Sequence, residues 1–252
     1  MCAQINGEAI SLLNIQHLVG FVPQEDIMHR DLSVRENLRF YAHLKGNPSM
    51  TRPQRRAFVN EIVDILGLSH VQHSLIGDEE TRGISGGQRK RVNIGIELMA
   101  SPLVLFLDEP TSGLDSTTTQ QLIDSLDKLA KLGLTIAMVI HQPRYEVLLK
   151  IDDLLLLQKG GYPVYAGPTV EALSYFTGFL GSPCPDKTTP ADHFLDVISA
   201  NPQLAHGNVV DSWRWYVLNV IGERNAIIHP DEYADRVIPA RARPSRFYQA
   251  YS

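Results

Sequence analysis

The most constraining feature of this 252-residue chain is an unbroken apolar run at 103–107, Leu-Val-Leu-Phe-Leu, followed directly by Asp108 and Glu109. Five apolar residues in a row do not alternate, so a strand built from them is buried on both faces. Strands of that kind belong to parallel sheets with helices packed on either side. In such sheets ligands bind at the carboxyl ends of the strands, where the two acids fall. A carboxylate pair there can hold a divalent metal with one group and polarise a water with the other. Taken alone, the pair reads equally as a strand ending in solvated acids.

The rest of the chain supplies further pieces of that plan. Residues 18–22 read as a short buried strand closed by Pro23, residues 134–140 as another, and the four leucines at 154–157 as one more. Between them lie helical patterns. One covers 33–44, with Ser33 and Glu36 placed as a capping box and Val34, Leu38 and Tyr41 on one face. A second covers 53–66 and ends at Gly67. A third opens after Ser85 with Val92, Ile96 and Met99 at helical spacing, a fourth covers 116–132 up to Gly133, and a fifth covers 169–180. Residues 158–168 read as a hairpin turning at Gly160-Gly161. Pro183, Pro185 and Pro190 mark a loop, and 201–252 show little periodicity.

Three other places carry candidate chemistry. In Ser85-Gly86-Gly87-Gln88 two glycines let backbone approach an anion, and the helix that follows aims free N–H groups at it. A bare Ser-Gly-Gly is also an ordinary glycine turn with a serine cap. His141 follows the strand at 134–140, where an imidazole can donate to a phosphate oxygen; a lone histidine there is usually structural. Gln24, after Val22-Pro23, is unremarkable in isolation.

Order and spacing join these places. Gln24, then Ile84-Ser-Gly-Gly-Gln-Arg-Lys-Arg-Val, then Leu-Phe-Leu-Asp108-Glu109-Pro-Thr-Ser-Gly-Leu-Asp115-Ser, then His141 is the layout of an ATP-binding cassette, and the chain resembles one over roughly residues 5–200. The text at 22–38, Val-Pro-Gln-Glu-Asp-Ile-Met-His-Arg-Asp-Leu-Ser-Val-Arg-Glu-Asn-Leu, is similar to the G (White-type) subfamily of ABC transporters. So are Ile140-His-Gln-Pro-Arg144, Val164-Tyr-Ala-Gly-Pro168, and Cys184-Pro185 followed by Pro190-Ala-Asp192.

The resemblance implies an α/β fold of the P-loop NTPase type, mostly parallel in its sheet, with a helical subdomain at about 30–100. It implies a partial cassette over 1–180 and a post-cassette linker over 181–252. It implies ATP and Mg²⁺ as cofactors, with Asp108 on the metal and Glu109 as general base. Gln24 resembles the glutamine that senses the metal, and His141 the switch histidine. Ser85, Gly86, Gly87 and Gln88 resemble the signature motif that binds ATP held by an opposite cassette. The stretch from Ser112 to Asp115 resembles the loop at the dimer seam. The implied partners are a second cassette and a transmembrane domain, at the cytosolic face of a membrane.

One element of the pattern is absent. No G-x-x-x-x-G-K-[ST] occurs in the sequence, so nothing supplies the backbone nest and lysine that neutralise the β- and γ-phosphates. The expectation is that this loop and the first strands lie before Met1. Three readings stand: a portion of a G-type half-transporter, which the text favours; a short chain that lends its signature to a partner cassette; and a soluble ABC ATPase.

Composition narrows the classes. A net charge of -5 argues against a nucleic-acid partner. The basic triplet Arg89-Lys90-Arg91 reads as a solvated helix face rather than a phosphate clamp. Cys2 and Cys184 make no disulfide framework and suit a reducing compartment. His70 and His73 have no further ligands near them in sequence and read as surface residues. No apolar run approaches the roughly 20 residues of a membrane span.

Overall fold

The computed structural model describes residues 2–5, 8–11, 15–77 and 83–221. They fall into two units, one reaching His141 and the other starting at Gln142.

The first unit opens with a hairpin of β1 (Cys2–Ile5) and β2 (Glu8–Ser11). Periodicity predicts no element there, since four-residue strands carry too few positions to show a period. A three-stranded parallel sheet follows, in the order β3 (Val19–Val22), β4 (Val104–Asp108), β5 (Thr135–Val139). Its register aligns Val22 with Leu107 and Leu107 with Met138. Asp108, opposite Val139, therefore sits at the carboxyl end.

Side chains alternate across this sheet. Val22, Leu105 and Leu107 are buried on the face where helices pack, while Phe21, Phe106 and Val139 on the other face are 55%, 44% and 56% exposed. The expected double-sided cover is thus a single-sided one among the described residues. The unbroken apolar run holds residues fit for two covered faces, but a helix layer covers only one of them.

The α-helices among the described residues of this unit are α1 (Val34–Leu44), α2 (Arg52–Ile65), α3 (Gly86–Leu98) and α4 (Ser116–Lys131). The capping box at Ser33 and Glu36 forms as the sequence predicts: Ser33 N donates to Glu36 Oε2 at 2.9 Å, and Glu36 N donates to Ser33 Oγ. Thr51 and Gln54 make a second such box. Helix α3 passes close to α1 and α2 at Gly95, where a Cβ would lie 2.9 Å from Leu38 and 3.1 Å from Leu66. Helix α3 also packs on β3, and α4 on α3 and β5.

The second unit has its own core. The leucines at 154–157, expected in the parallel sheet, lie instead in β6 (Asp153–Gln158), antiparallel to β7 (Tyr162–Pro168). The tight turn at Gly160-Gly161 returns the chain at once, so the neighbouring strand is the next one in sequence. Leu155 and Leu157 accordingly point to solvent. Around the hairpin come α5 (Tyr145–Leu148), α6 (Thr169–Ser174), α7 (Pro190–Ala200) and α8 (Val209–Tyr216). Helix α6 continues in wider turns through Tyr175–Phe179. Phe176, Phe194, Val164, Tyr165, Val209 and Trp213 fill this core.

Low periodicity over 201–252 predicts a linker, yet α8 lies there, capped by Asn208, whose Oδ1 accepts from Val210 and Asp211 at 3.0 Å. Eight residues are too few for the pattern to show, and the packing of Trp213 against Tyr165 and Tyr175 holds the helix. Residues 222–252 lie outside the described ones.

Candidate functional site

The three parallel strands end in one polar cluster. Glu109 follows β4, Gln24 follows β3 after Pro23, and His141 follows β5 after Ile140. Gln24 Nε2 donates to Glu109 Oε2 at 3.2 Å. His141 Nε2 lies 2.9 Å from the other oxygen, Glu109 Oε1. One carboxylate is therefore held between an amide and an imidazole, each on its own oxygen. Glu109 N donates to Val139 O at 3.0 Å, which carries the β4–β5 pairing one step past the strand. Its φ of +44° is a left-handed conformation that a non-glycine residue adopts only under surrounding constraint. That turn brings the Glu109 side chain to the cluster while Asp108 stays in the strand. Asp108 and Glu109 are half-buried, and Gln24 and His141 are exposed.

The second predicted place is built differently. Ser85 caps α3. Its Oγ accepts from Gln88 N at 3.3 Å, and Gln88 Oε1 accepts from Ser85 N at 2.8 Å. Gln88 Nε2 in turn lies 3.2 Å from His70 Nε2, so His70, though on the surface, touches this motif. The two glycines have separate reasons. A Cβ on Gly86 would meet nothing nearer than Leu114 at 4.0 Å, whereas one on Gly87 would fall 1.8 Å from Thr118 Cγ2 of α4. Gly87 is needed for helix packing, and Gly86 is the one facing open space. With the Ser85 oxygen accepting, its hydroxyl hydrogen remains a donor.

Asp115, the third predicted place, caps α4. Its carboxylate accepts from Thr118 N at 3.0 Å and Thr118 Oγ1 at 2.7 Å. These bonds, first the one from the Thr118 hydroxyl, hold its carboxyl below the usual value.

The basic triplet departs from the solvated face that its sequence predicts. Arg91 is buried, donating from Nη1 to Leu66 O at 3.1 Å and from Nε to Gly87 O at 3.3 Å. It ties the end of α2 to the start of α3. Lys90 reaches Gln24 O and lies 3.5 Å from Asp26 Oδ1. Sequence reasoning also passes over Asn93, because one amide in a helical pattern carries no signal by itself.

The donor set fits a divalent metal shared with phosphate. No group of three or more His, Cys, Asp or Glu able to hold an ion occurs among the described residues. A carboxylate or two beside substrate phosphates is, however, how Mg²⁺ is usually held, and Asp108 is a carboxylate at the end of β4. The sequence contains no phosphate-loop text of the kind that cradles the β- and γ-phosphates. Among the described residues no helix is long and apolar enough to cross a membrane.

Comparisons with known proteins bear on the family of this chain. Residues 3–112 match the family model described as ABC transporter, and residues 141–217 match one described as ABC-2 type transporter. The ABC transporter G family member 28 of Arabidopsis thaliana is 44% identical over 194 residues, covering 77% of this chain and 17% of the relative. The broad substrate specificity ATP-binding cassette transporter ABCG2 of Bos taurus is 43% identical over 182 residues, covering 72% of this chain and 28% of the relative. The chain thus spans less than a third of the length of these relatives. In structure it is similar to cbiO1 of Clostridium perfringens, part of the ABC transporter complex cbiONQ, with a TM-score of 0.57 and 25% identity over 68% of this chain and 67% of that one. From the strand-end cluster, the glycine-led start of α3 and these likenesses together, the chain belongs to the G family of ABC transporters and is a portion of its nucleotide-binding domain.

Proposed function

We propose that this chain is the cassette segment through which a G-type half-transporter couples ATP binding and hydrolysis to movement of a substrate across a membrane, from its cytosolic face. The observation that carries the reading is the Glu109 carboxylate, held at one oxygen by Gln24 and at the other by His141 where three parallel strands end. Glu109 is the general base that takes the proton of the attacking water. His141 and Gln24 keep its carboxylate aimed, which matters because a base must stand within hydrogen-bond reach of its proton. Asp108, at the carboxyl end of β4, is the group that would hold Mg²⁺, with Gln24 as the second donor. Bound MgATP supplies a phosphoryl group whose charge the metal neutralises.

The start of α3 serves the other half of a composite site. Gly86, Gly87 and the Ser85 hydroxyl turn N–H and O–H donors toward an ATP held by a partner cassette, and Gln88 keeps Ser85 in place. Asp115 orders the turn that leads into α4 at the seam of that pair. The partners are accordingly a second cassette and a transmembrane domain.

The test is ATP turnover by the 252-residue chain alone and by the assembled transporter that contains it. The chain alone is expected to be inert, because its sequence carries no phosphate-loop motif for the β- and γ-phosphates. The assembly is expected to hydrolyse ATP. An inert assembly sinks the proposal, and so does turnover by the isolated chain that survives Glu109→Gln.

A further inference from the structure

Helix α3 carries polar groups that the site described above does not use, and they converge on one loop. Gln24 needs a fixed backbone to keep its amide against Glu109, yet the loop after β3 has left the sheet ladder. Its backbone groups are held by α3 instead. Gln24 O accepts from Lys90 Nζ, and Glu25 O accepts from Asn93 Nδ2 at 3.3 Å. Ile27 N donates to Asn93 Oδ1 at 3.4 Å. Lys90 Nζ also stands 3.5 Å from Asp26 Oδ1.

Asn93 is 2% exposed, and both ends of its amide are satisfied by this loop. An apolar side chain would fill the same space but would leave the Glu25 carbonyl and the Ile27 N–H without those partners. The far end of the loop is held in the same manner. Asn37 Nδ2 donates to His29 O at 2.9 Å, and His29 N donates to Asn37 Oδ1 at 3.0 Å.

We infer that Lys90 and Asn93 are positioning residues for Gln24, bracing the glutamine loop on the helix that opens at Ser85. This rests on the reading of Gln24, Glu109 and Ser85 proposed above. One helix then serves two half-sites: its first turn faces the ATP of the partner, and its second and third turns hold the glutamine of this chain. A displacement of α3 when the partner's nucleotide docks on Ser85 is passed to Gln24 through two side chains. The basic triplet is conducting that link with Lys90, while Arg91 anchors the helix to α2.

The experiment is a double-variant cycle on ATP turnover by the assembled transporter, with MgATP as the probe. Lys90→Met and Asn93→Ala are each made in the wild type and in the Gln24→Ala background. Each alone is expected to lower kcat roughly tenfold, with KM for ATP within about twofold, since misplacing a catalytic contact costs rate. In the Gln24→Ala background neither lowers it further, because the group being positioned is gone. Lys90→Arg, which keeps a donor for the Gln24 carbonyl, restores turnover. Equal losses in both backgrounds overturn the inference, as a structural role predicts. If Asn93→Ala fails to fold, Lys90→Met, on a partly exposed side chain, decides the question. Glu109→Gln separates the two levels. Turnover that survives it overturns the site reading and this inference with it, whereas a dead Glu109→Gln beside an additive cycle overturns the inference alone.

Discussion

At the ends of β3, β4 and β5, the side chains of Gln24 and His141 both engage Glu109, whereas at the start of α3 the side chains of Ser85 and Gln88 each engage the other's backbone N–H. The first arrangement brings a carboxylate, an amide and an imidazole to a common point, as the proposed proton transfer requires. The second uses side chains to order the backbone that opens α3, the backbone proposed to bind an anion. Side-chain chemistry is therefore vulnerable at the first place and backbone shape at the second. Substitutions should separate the two.

The largest expected effect is on the first. Glu109→Gln in the assembled transporter removes the proposed base and keeps the shape, leaving one acceptor oxygen where the carboxylate has two. Turnover should fall by at least about a hundredfold, read as kcat from phosphate release. A fall of only a few-fold would erase the distinction between the two places.

Next comes shape at the second. Gly87→Ala sets a Cβ 1.8 Å from Thr118 Cγ2, which must force α3 and α4 apart. The expected loss is about 1–3 kcal/mol of stability, read by denaturant unfolding. Thr118→Ala in the same chain should recover most of it, and Gly86→Ala alone should leave stability nearly unchanged.

Ser85→Ala sharpens the same point with a smaller change. It removes the oxygen that accepts from Gln88 N and should cost about 1 kcal/mol as a lost helix cap. The Gly86 and Gly87 N–H groups remain. Partner-dependent turnover should drop less than in Glu109→Gln.

The smallest effect is electrostatic. The Asp115 carboxyl is held below its ordinary value of 3.8 by the Thr118 bonds. A lowered folded value means that its contribution is complete above 3.8 and is lost as pH falls from there through the folded value. Asp115→Asn keeps a capping oxygen without the titration. Melting temperatures of the two proteins should converge as the solution is acidified below about pH 4. A constant difference across that range would show that the cap carries no such linkage.

Much of the fold could be read from local text. Ser33-x-x-Glu36 forms the capping box that its spacing predicts, and Gly67 and Gly133 follow their helices with φ of +63° and +101°. What could not be read depends on which surfaces meet. The leucines at 154–157 look like a buried parallel strand, but their partner is the adjacent β7, so half of them face water. Arg91 looks like one charge in a solvated triplet, but the end of α2 arrives over it and supplies a carbonyl. Gly87 looks like a residue made for an anion, but Thr118 of α4 is what forbids a side chain there. In the candidate site, the acids after β4 stand out because an apolar run ends on them. Lys90 and Asn93 do not, because their partners are backbone atoms some 66 and 68 residues earlier in the chain.

By itself, then, the sequence determined the strand that ends in Asp108-Glu109, the capping box at Ser33 and Glu36, and the family of the chain. Each of these is written in residues that are neighbours or stand in a fixed order. Only the tertiary structure decided that Gln24 and His141 take the two oxygens of one carboxylate, and that α3 holds the loop on which Gln24 sits. Those contacts join residues that come together only when parallel strands align in register and a helix packs beside them, and no local pattern of side chains encodes that meeting.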